Sequence, residues 1–222
     1  MSKIRILDAS LLVRIAKISP GVLLVHARML SKTTAKYPLT RVEVKTFTIH
    51  AGVVGESIDN AILGQLPKRI IVGFVDNKAF NGDRKLNSFN FQNYRINLFS
   101  LYVDGMQIPS RPLQPNFSKD EPLYVEAYHT IFSGIGIHFL NEGNSISRDD
   151  CANGYTLFAF YLTPDLSANC AGHRNLVKHG NLRLEVRFEK ALSVTINCIV
   201  YAEFDNVLEI DSSRQVIVDF PG

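Results

Sequence analysis

The side chains best equipped for chemistry are three cysteines, six histidines and a few acidic pairs. Cys170 and His173 form a Cys-x2-His pair, with Cys151 and His179 nearby in sequence. A structural zinc needs four ligands at paired spacings. The spacings here match no common zinc finger, so the pair reads as loop. Asp149-Asp150 is an acidic doublet, but adjacent loop residues need not converge, and aspartate favours solvent. Ser133 stands in Phe132-Ser133-Gly134 and not in the Gly-x-Ser-x-Gly elbow that exposes a nucleophile. Gly134-Ile135-Gly136 is followed by Phe139 where a dinucleotide fingerprint needs glycine. No Gly-x4-Gly-Lys-[Ser/Thr] loop and no His-Glu-x-x-His helix occurs. The histidines are scattered, with no matched base and nucleophile. The reading assigns no catalytic, cofactor-binding or metal-binding residue, and an enzyme is not expected.

Elements that could position such groups are dominated by β-structure. Leu182, Leu184, Val186 and Phe188 alternate with Arg183, Glu185, Arg187 and Glu189, which gives one core face and one charged face. Leu192, Val194, Ile196, Cys198, Val200, Ala202 and Phe204 continue the alternation. Only Lys190 and Ala191 separate the two runs, which predicts an antiparallel hairpin. Residues 69–75, 95–103 and 155–162 are apolar on both faces, as in strands covered on both sides. Residues 41–49 begin with Val42 and Val44 inward and then switch to Phe47 and Ile49, which predicts a bulge near Thr46. Short strands are expected at residues 11–18 and 215–220. The total is about eight strands, the number of a two-sheet sandwich.

Two helices interrupt the strands. Ser19-Pro20 is an N-cap with proline at the first helical position. Val22, Val25, His26 and Met29 then share a face, where His26 reads as a hydrogen-bonded core histidine. The second helix starts at a capping box from Ser118 to Glu121, or at Pro122, and ends near Gly134. The loops at residues 77–93 and 141–154 are long and rich in Asn, Gly, Asp and Ser. Loops of that length in a compact domain usually have work to do. No repeat, low-complexity stretch or domain boundary is visible.

The chain has 222 residues, with 46% hydrophobic and 20% charged. That is an ordinary globular mix, long enough to bury a core without staples. No apolar run reaches the ~18 residues of a transmembrane helix, and the opening MSKIRILDAS does not read as a secretory signal. Three cysteines cannot all pair within one chain, so a reducing compartment, cytoplasm or nucleus, is expected. Asn116-Phe117-Ser118 fits a glycosylation acceptor but carries little weight in that compartment. Charge is uneven: the first 50 residues carry +7 and the remainder −4. A basic stretch of this kind contacts polyanions such as DNA, or it is a solvated or partner-facing edge.

Longer strings carry a family resemblance. LGQLPKRIIVGFVDNKAFNG (63–82), LYVDGMQIPSRPLQPNFS (101–118), NGYTLFAFYLTPDLS (153–167), GNLRLEVRFEKAL (180–192) and VYAEFDNVLEID (200–211) stand in order. VRIAKISPGVLLVHARML (13–30) and AKYPLTRVEVKTFTI (35–49) precede them. Together they resemble the second half of the double-jelly-roll major capsid proteins of Polinton/Maverick elements and adintoviruses, relatives of the large nucleocytoplasmic DNA viruses.

The resemblance implies a structural protein located in the virion. In that family each subunit carries two jelly rolls side by side, and three subunits form a pseudo-hexagonal capsomer. Capsomers tile an icosahedral shell around double-stranded DNA. This chain is short for two rolls. It reads as a single jelly-roll domain over residues 1–222, with a leading strand, short helix and linker at 1–38 and the main sandwich at 39–222. The expected partners are itself, as a homotrimer or other small closed oligomer, other capsid proteins, and DNA through basic residues 1–50. The competing readings are a host-retained jelly-roll module that binds protein or glycan, and a cupin-type metal enzyme. For the enzyme, His129 and His138 lack a third ligand at a suggestive spacing.

Overall fold

A computed structural model describes residues 5–135, 143–163 and 178–218. Among these, nine strands form two sheets. In chain order they are β1 (Ala35–Ile49), β2 (Gly55–Gln65), β3 (Arg69–Asp76), β4 (Ile96–Val103), β5 (Met106–Leu113), β6 (Leu157–Tyr161), β7 (His179–Phe188), β8 (Ile196–Ile210) and β9 (Val216–Val218). The helices are α1 (Pro20–Leu30), α2 (Asn77–Phe80), α3 (Val125–Ser133) and α4 (Arg148–Ala152). One sheet has the order β1-β8-β3-β6, with β9 paired to β8, and the other β2-β7-β4-β5. From β1 to β8 the chain changes sheets at every connection except one: β4 turns directly into β5 at Asp104-Gly105, whereas β5 crosses to β6 in the other sheet through α3 and α4. This order is that of a jelly-roll β-sandwich, the fold expected from the sequence.

The chain divides into two units. The larger runs from Pro38 to Asn206 and contains most of both sheets. The smaller joins the residues before Pro38 to those from Val207 onward. Within the smaller unit, β9 pairs with the end of β8, Lys36 meets Glu209 at 3.1 Å, and Thr34 donates to the same carboxylate at 2.9 Å.

The core of the larger unit lies between the sheets. Leu182, Leu184, Val186 and Phe188 of β7 face Ile196, Cys198, Val200, Ala202 and Phe204 of β8, and all nine are buried. Aromatic rings fill the middle. Phe99 stacks on Phe158 at 4.5 Å, and Phe74 meets both edge-on at 6.2 and 6.5 Å. Offset stacks and T-shaped pairs of this kind add to the area that each ring buries.

Where β3 and β6 are apolar on their outer face as well, helix α3 covers β6. A Cβ on Gly134 would come within 2.4 Å of the Ala159 carbonyl, so only glycine permits this approach. The long loop at 77–93 is built from local turns. Asp76 caps α2 through the Lys78 and Ala79 amides, and Asp83, Asn87 and Asn93 each accept from the amide two residues on.

Several expectations are corrected. Residues 189–195 are not a hairpin turn. β7 and β8 belong to different sheets, and the segment crosses between them, held by Leu192 N–H to Val53 O (2.9 Å) and Gly52 N–H to Leu192 O (2.8 Å). Two alternating strands with apolar faces can lie across a core as readily as side by side, and the pattern alone does not separate the two. Leu192 and Val194 therefore precede β8 and are not part of it.

β1 has no parity switch: Leu39, Arg41, Glu43, Lys45, Phe47 and Ile49 face one way throughout, and Val42 and Val44 face out. Arg41 tolerates the inward side because its guanidinium lies 4.3 Å over the Phe204 ring, donates to Asn206 and pairs with Glu43. Residues 11–18 form no strand; they have no strand partner, and their side chains are exposed.

Helix α1 starts at Pro20 as expected, but its apolar face is uncovered and His26 is exposed. Helix α3 starts at Val125, later than either expected start. The Ser118 hydroxyl instead closes a local turn with Glu121. The last strand ends at Val218, and residues 219 and 220 of the expected strand lie outside the described residues.

Candidate interaction surface

The two outer faces of the sandwich differ in chemistry. On the β2-β7-β4-β5 sheet the outward side chains of the two central strands form a polar, paired cluster, and Leu63 and Met106 are exposed on the edge strands. The Arg183 guanidinium lies 4.1 Å over the Tyr102 ring, the Tyr102 hydroxyl donates to Glu185 at 3.1 Å, and Arg187 donates to Glu185 at 2.9 Å. Burial alone would raise the Glu185 pKa. The hydrogen bonds from Arg187 and Tyr102, with the nearby guanidinium charges, outweigh burial and hold the carboxyl below its ordinary range. This face is suited to water.

The outer face of β1, β8, β3 and β6 is apolar in its middle. A groove of about 460 Å3 is lined by Ile71, Gly73, Phe91, Leu157 and Ile199. Its floor depends on glycine, because a Cβ on Gly73 would sit 2.7 Å from the Phe91 ring and 2.8 Å from Leu157. Val42 and Val44 extend the apolar surface along β1, with Val44 60% exposed.

Ion pairs rim one end of the groove. Arg69 donates twice to Glu203, at 2.6 and 2.7 Å, and Tyr201 donates to the same carboxylate at 3.1 Å. Lys68 meets Asp205 at 2.7 Å and donates to Thr40 at 3.2 Å. Burial raises the Tyr201 phenol pKa, and the Glu203 charge adds to the shift. The phenol therefore stays protonated as a donor.

A second exposed apolar surface precedes β1. Between Ile6 and Met29, twelve large apolar side chains are exposed, with Leu12 at 93%. Helix α1 carries Val22, Leu23, Leu24 and Val25 on four successive positions, so it is apolar nearly all round.

The reactive types singled out in the sequence do not assemble. Among the described residues, no three His, Cys, Asp or Glu side chains come together as a metal site would require. Cys151 is buried in α4, where burial pushes its thiol up to about 11; Cys198 is buried in the core, and its thiol is pushed up further still. His129 is exposed on α3, and His179 is exposed at the start of β7. Cys170, His173, His138, Gly136 and Phe139 lie outside the described residues.

Asp150 has a structural role. Its carboxylate and Ser147 form a reciprocal cap on α4, and the Ser147 hydrogen bonds lower its pKa. The Ser133 hydroxyl donates back to the His129 and Thr130 carbonyls within its own helix. Asn116 accepts from the Ser118 amide in a local turn. The groove and its Arg69–Glu203 pair had only a partial signal in the sequence. Double-sided apolarity marked the strands, but pairing Arg69 with Glu203 needs the β3–β8 register, which sets those two residues opposite each other.

No family model matches the chain. It is 29% identical over 198 residues to an uncharacterized protein of Caenorhabditis elegans, covering 87% of this chain and 46% of that protein. The PBCV-1 virus capsid superposes with a TM-score of 0.54 at 10% identity, covering 86% of this chain and 52% of that one. The crystal structure of PBCV-1 VP54, fitted into a reconstruction of the virophage Sputnik, gives 0.51 at 11% identity, covering 86% and 53%. The chain thus spans about half the length of the proteins it matches. At these identities the similarity to the capsid structures is one of fold, a jelly roll built on the same sandwich plan.

Proposed function

We infer that this chain is the structural jelly roll of a viral or virus-derived major capsid protein, of the Polinton/Maverick–adintovirus type. The observation that carries the reading is the jelly-roll sheet order, shared with the PBCV-1 capsid fold, together with an apolar groove on the outer face of the β1-β8-β3-β6 sheet. In this reading the chain is not an enzyme. It self-associates into a small closed oligomer, a trimer, contributes to capsomers of an icosahedral shell around double-stranded DNA, and works in the virion with other capsid proteins. It needs no metal or cofactor, and it is made in a reducing compartment, where its buried thiols stay free.

Light scattering during size exclusion tests the reading. The expected mass is three times 24.9 kDa. A 24.9 kDa species without concentration dependence refutes self-association. The basic residues 1–50 are the DNA-facing surface in this reading, and a gel shift at two salt concentrations tests that part. Binding should be insensitive to sequence and should weaken steeply with salt as counterions are released.

A second reading, a host-retained module that binds protein or glycan, is favoured by the relative in Caenorhabditis elegans. Closed shells seen by electron microscopy would exclude it.

A further inference from the structure

A closed ring of three needs a heterologous contact, in which one surface of each copy fits a different surface of the next. We propose that these two surfaces are the apolar arm at residues 6–30 and the groove on the outer face of the β1-β8-β3-β6 sheet, the arm of one copy lying on the groove of its neighbour. The proposal rests on the self-association inferred above and names its interface.

The arm needs a cover. At about two-thirds exposure, twelve side chains of roughly 60–120 Å2 each present on the order of 800 Å2 of apolar surface. That exceeds the ~300–600 Å2 of the largest patch on a typical monomer and matches the ~800 Å2 that one partner gives to a stable interface. A helix that is apolar nearly all round is one that ends up buried.

Charge selects the cover. Residues 5–32 carry Arg5, Arg14, Lys17, Arg28 and Lys32 against Asp8, a net +4, whereas the larger unit from Pro38 to Asn206 carries −1. Two arms would repel each other, and an arm on a neighbour's larger unit does not. Shape agrees: a groove of about 460 Å3 takes a few side chains of an extended segment or of one helix edge. Reach also agrees, since the irregular residues before α1 can extend ~3.3–3.6 Å each, some tens of Å in all.

The test uses full-length chains. An arm variant, Leu12→Glu with Ile15→Glu, changes fully exposed positions and leaves the fold intact. A groove variant, Ile199→Glu, changes the other surface. The wild type is expected to run as a trimer and each variant alone as a monomer. Their equimolar mixture should recover a two-chain species, because the intact arm of one fits the intact groove of the other.

Either variant keeping the wild-type mass, or a mixture that stays monomeric, overturns the proposal while leaving self-association standing. A monomeric wild type defeats the self-association reading itself. Should Ile199→Glu fail to fold, a photo-crosslinking phenylalanine in place of Leu12 decides the matter. Linkage to β3, β6 or β8 peptides of an isotopically distinct copy supports the proposal, and linkage elsewhere refutes it.

Discussion

Leu184→Ala on β7 tests the sandwich core directly. Leu184 is 1% exposed, lies opposite Ile58 of β2 and Leu101 of β4, and points between the sheets. The substitution removes three carbons, worth ~2–2.5 kcal/mol at about 0.8 kcal/mol each. β7 is locked between two neighbours and cannot close on the space left behind. At ~24 cal/mol per Å3, a residual cavity of several tens of Å3 adds about 1 kcal/mol. The expected loss is ~3–4 kcal/mol.

Arg183 is the adjacent residue on the opposite face, where its guanidinium lies over Tyr102. Losing such a contact at a solvated site costs ~0.5–1 kcal/mol. Urea titration followed by tyrosine fluorescence should therefore show a midpoint shift several-fold larger for Leu184→Ala than for Arg183→Ala, with unchanged m-values. Equal shifts would refute the assignment of inner and outer faces, and would mean that the charged face is buried against another molecule.

Gly134→Ala should drive α3 off β6, because the new methyl group would overlap the Ala159 backbone. A fall in melting temperature of several degrees or more is expected, and an unchanged value would contradict that packing. Maleimide labelling of native protein at pH 7.5 should spare Cys151 and Cys198, both buried with raised thiol pKa values; unfolding should expose both to the reagent, read by mass spectrometry. Glu185 has a folded pKa below its unfolded value of ~4.3, so its ion pair stabilises fully above that value and is lost as pH falls through the folded pKa. Glu185→Gln should therefore flatten the acid limb of stability against pH below about 5 and should not alter the slope above 6.

The parts of the fold that were readable in the sequence are those in which one residue pattern has one structural solution. The strict alternation from Leu182 to Phe188 permits only a half-buried strand, and Ser19-Pro20 marks the start of α1. β2 escaped because its pairing with β7 shifts register between Ile58 and Ile62, with Asn60 at positive φ, which breaks the alternation. β5 escaped because Pro109 and Pro112 argue against a strand, although proline is tolerated on an edge, where β5 lies. The inward Arg41 could not be read from residue type, since its burial depends on a ring supplied by β8. The groove was foreshadowed by strands apolar on both faces, but its ion-paired rim depends on register between distant segments.

The sheet order has a consequence for the timing of folding. β7 and β8 are the inner strands that complete each sheet: β7 joins β2 to β4, and β8 joins β1 to β3. A nascent chain that has emerged only as far as β6 can form the β4–β5 and β3–β6 pairs, but β1 and β2 have no neighbour to bond. Their ladders close only with residues far along the chain, as Gly55 does with Arg187. Pairings of such long range are slow, and strand edges wait unsatisfied until the last third of the chain arrives. Synthesis of this chain therefore passes through a window of aggregation risk that ends only when β7 and β8 slot into place together, and a holding chaperone would act in that window.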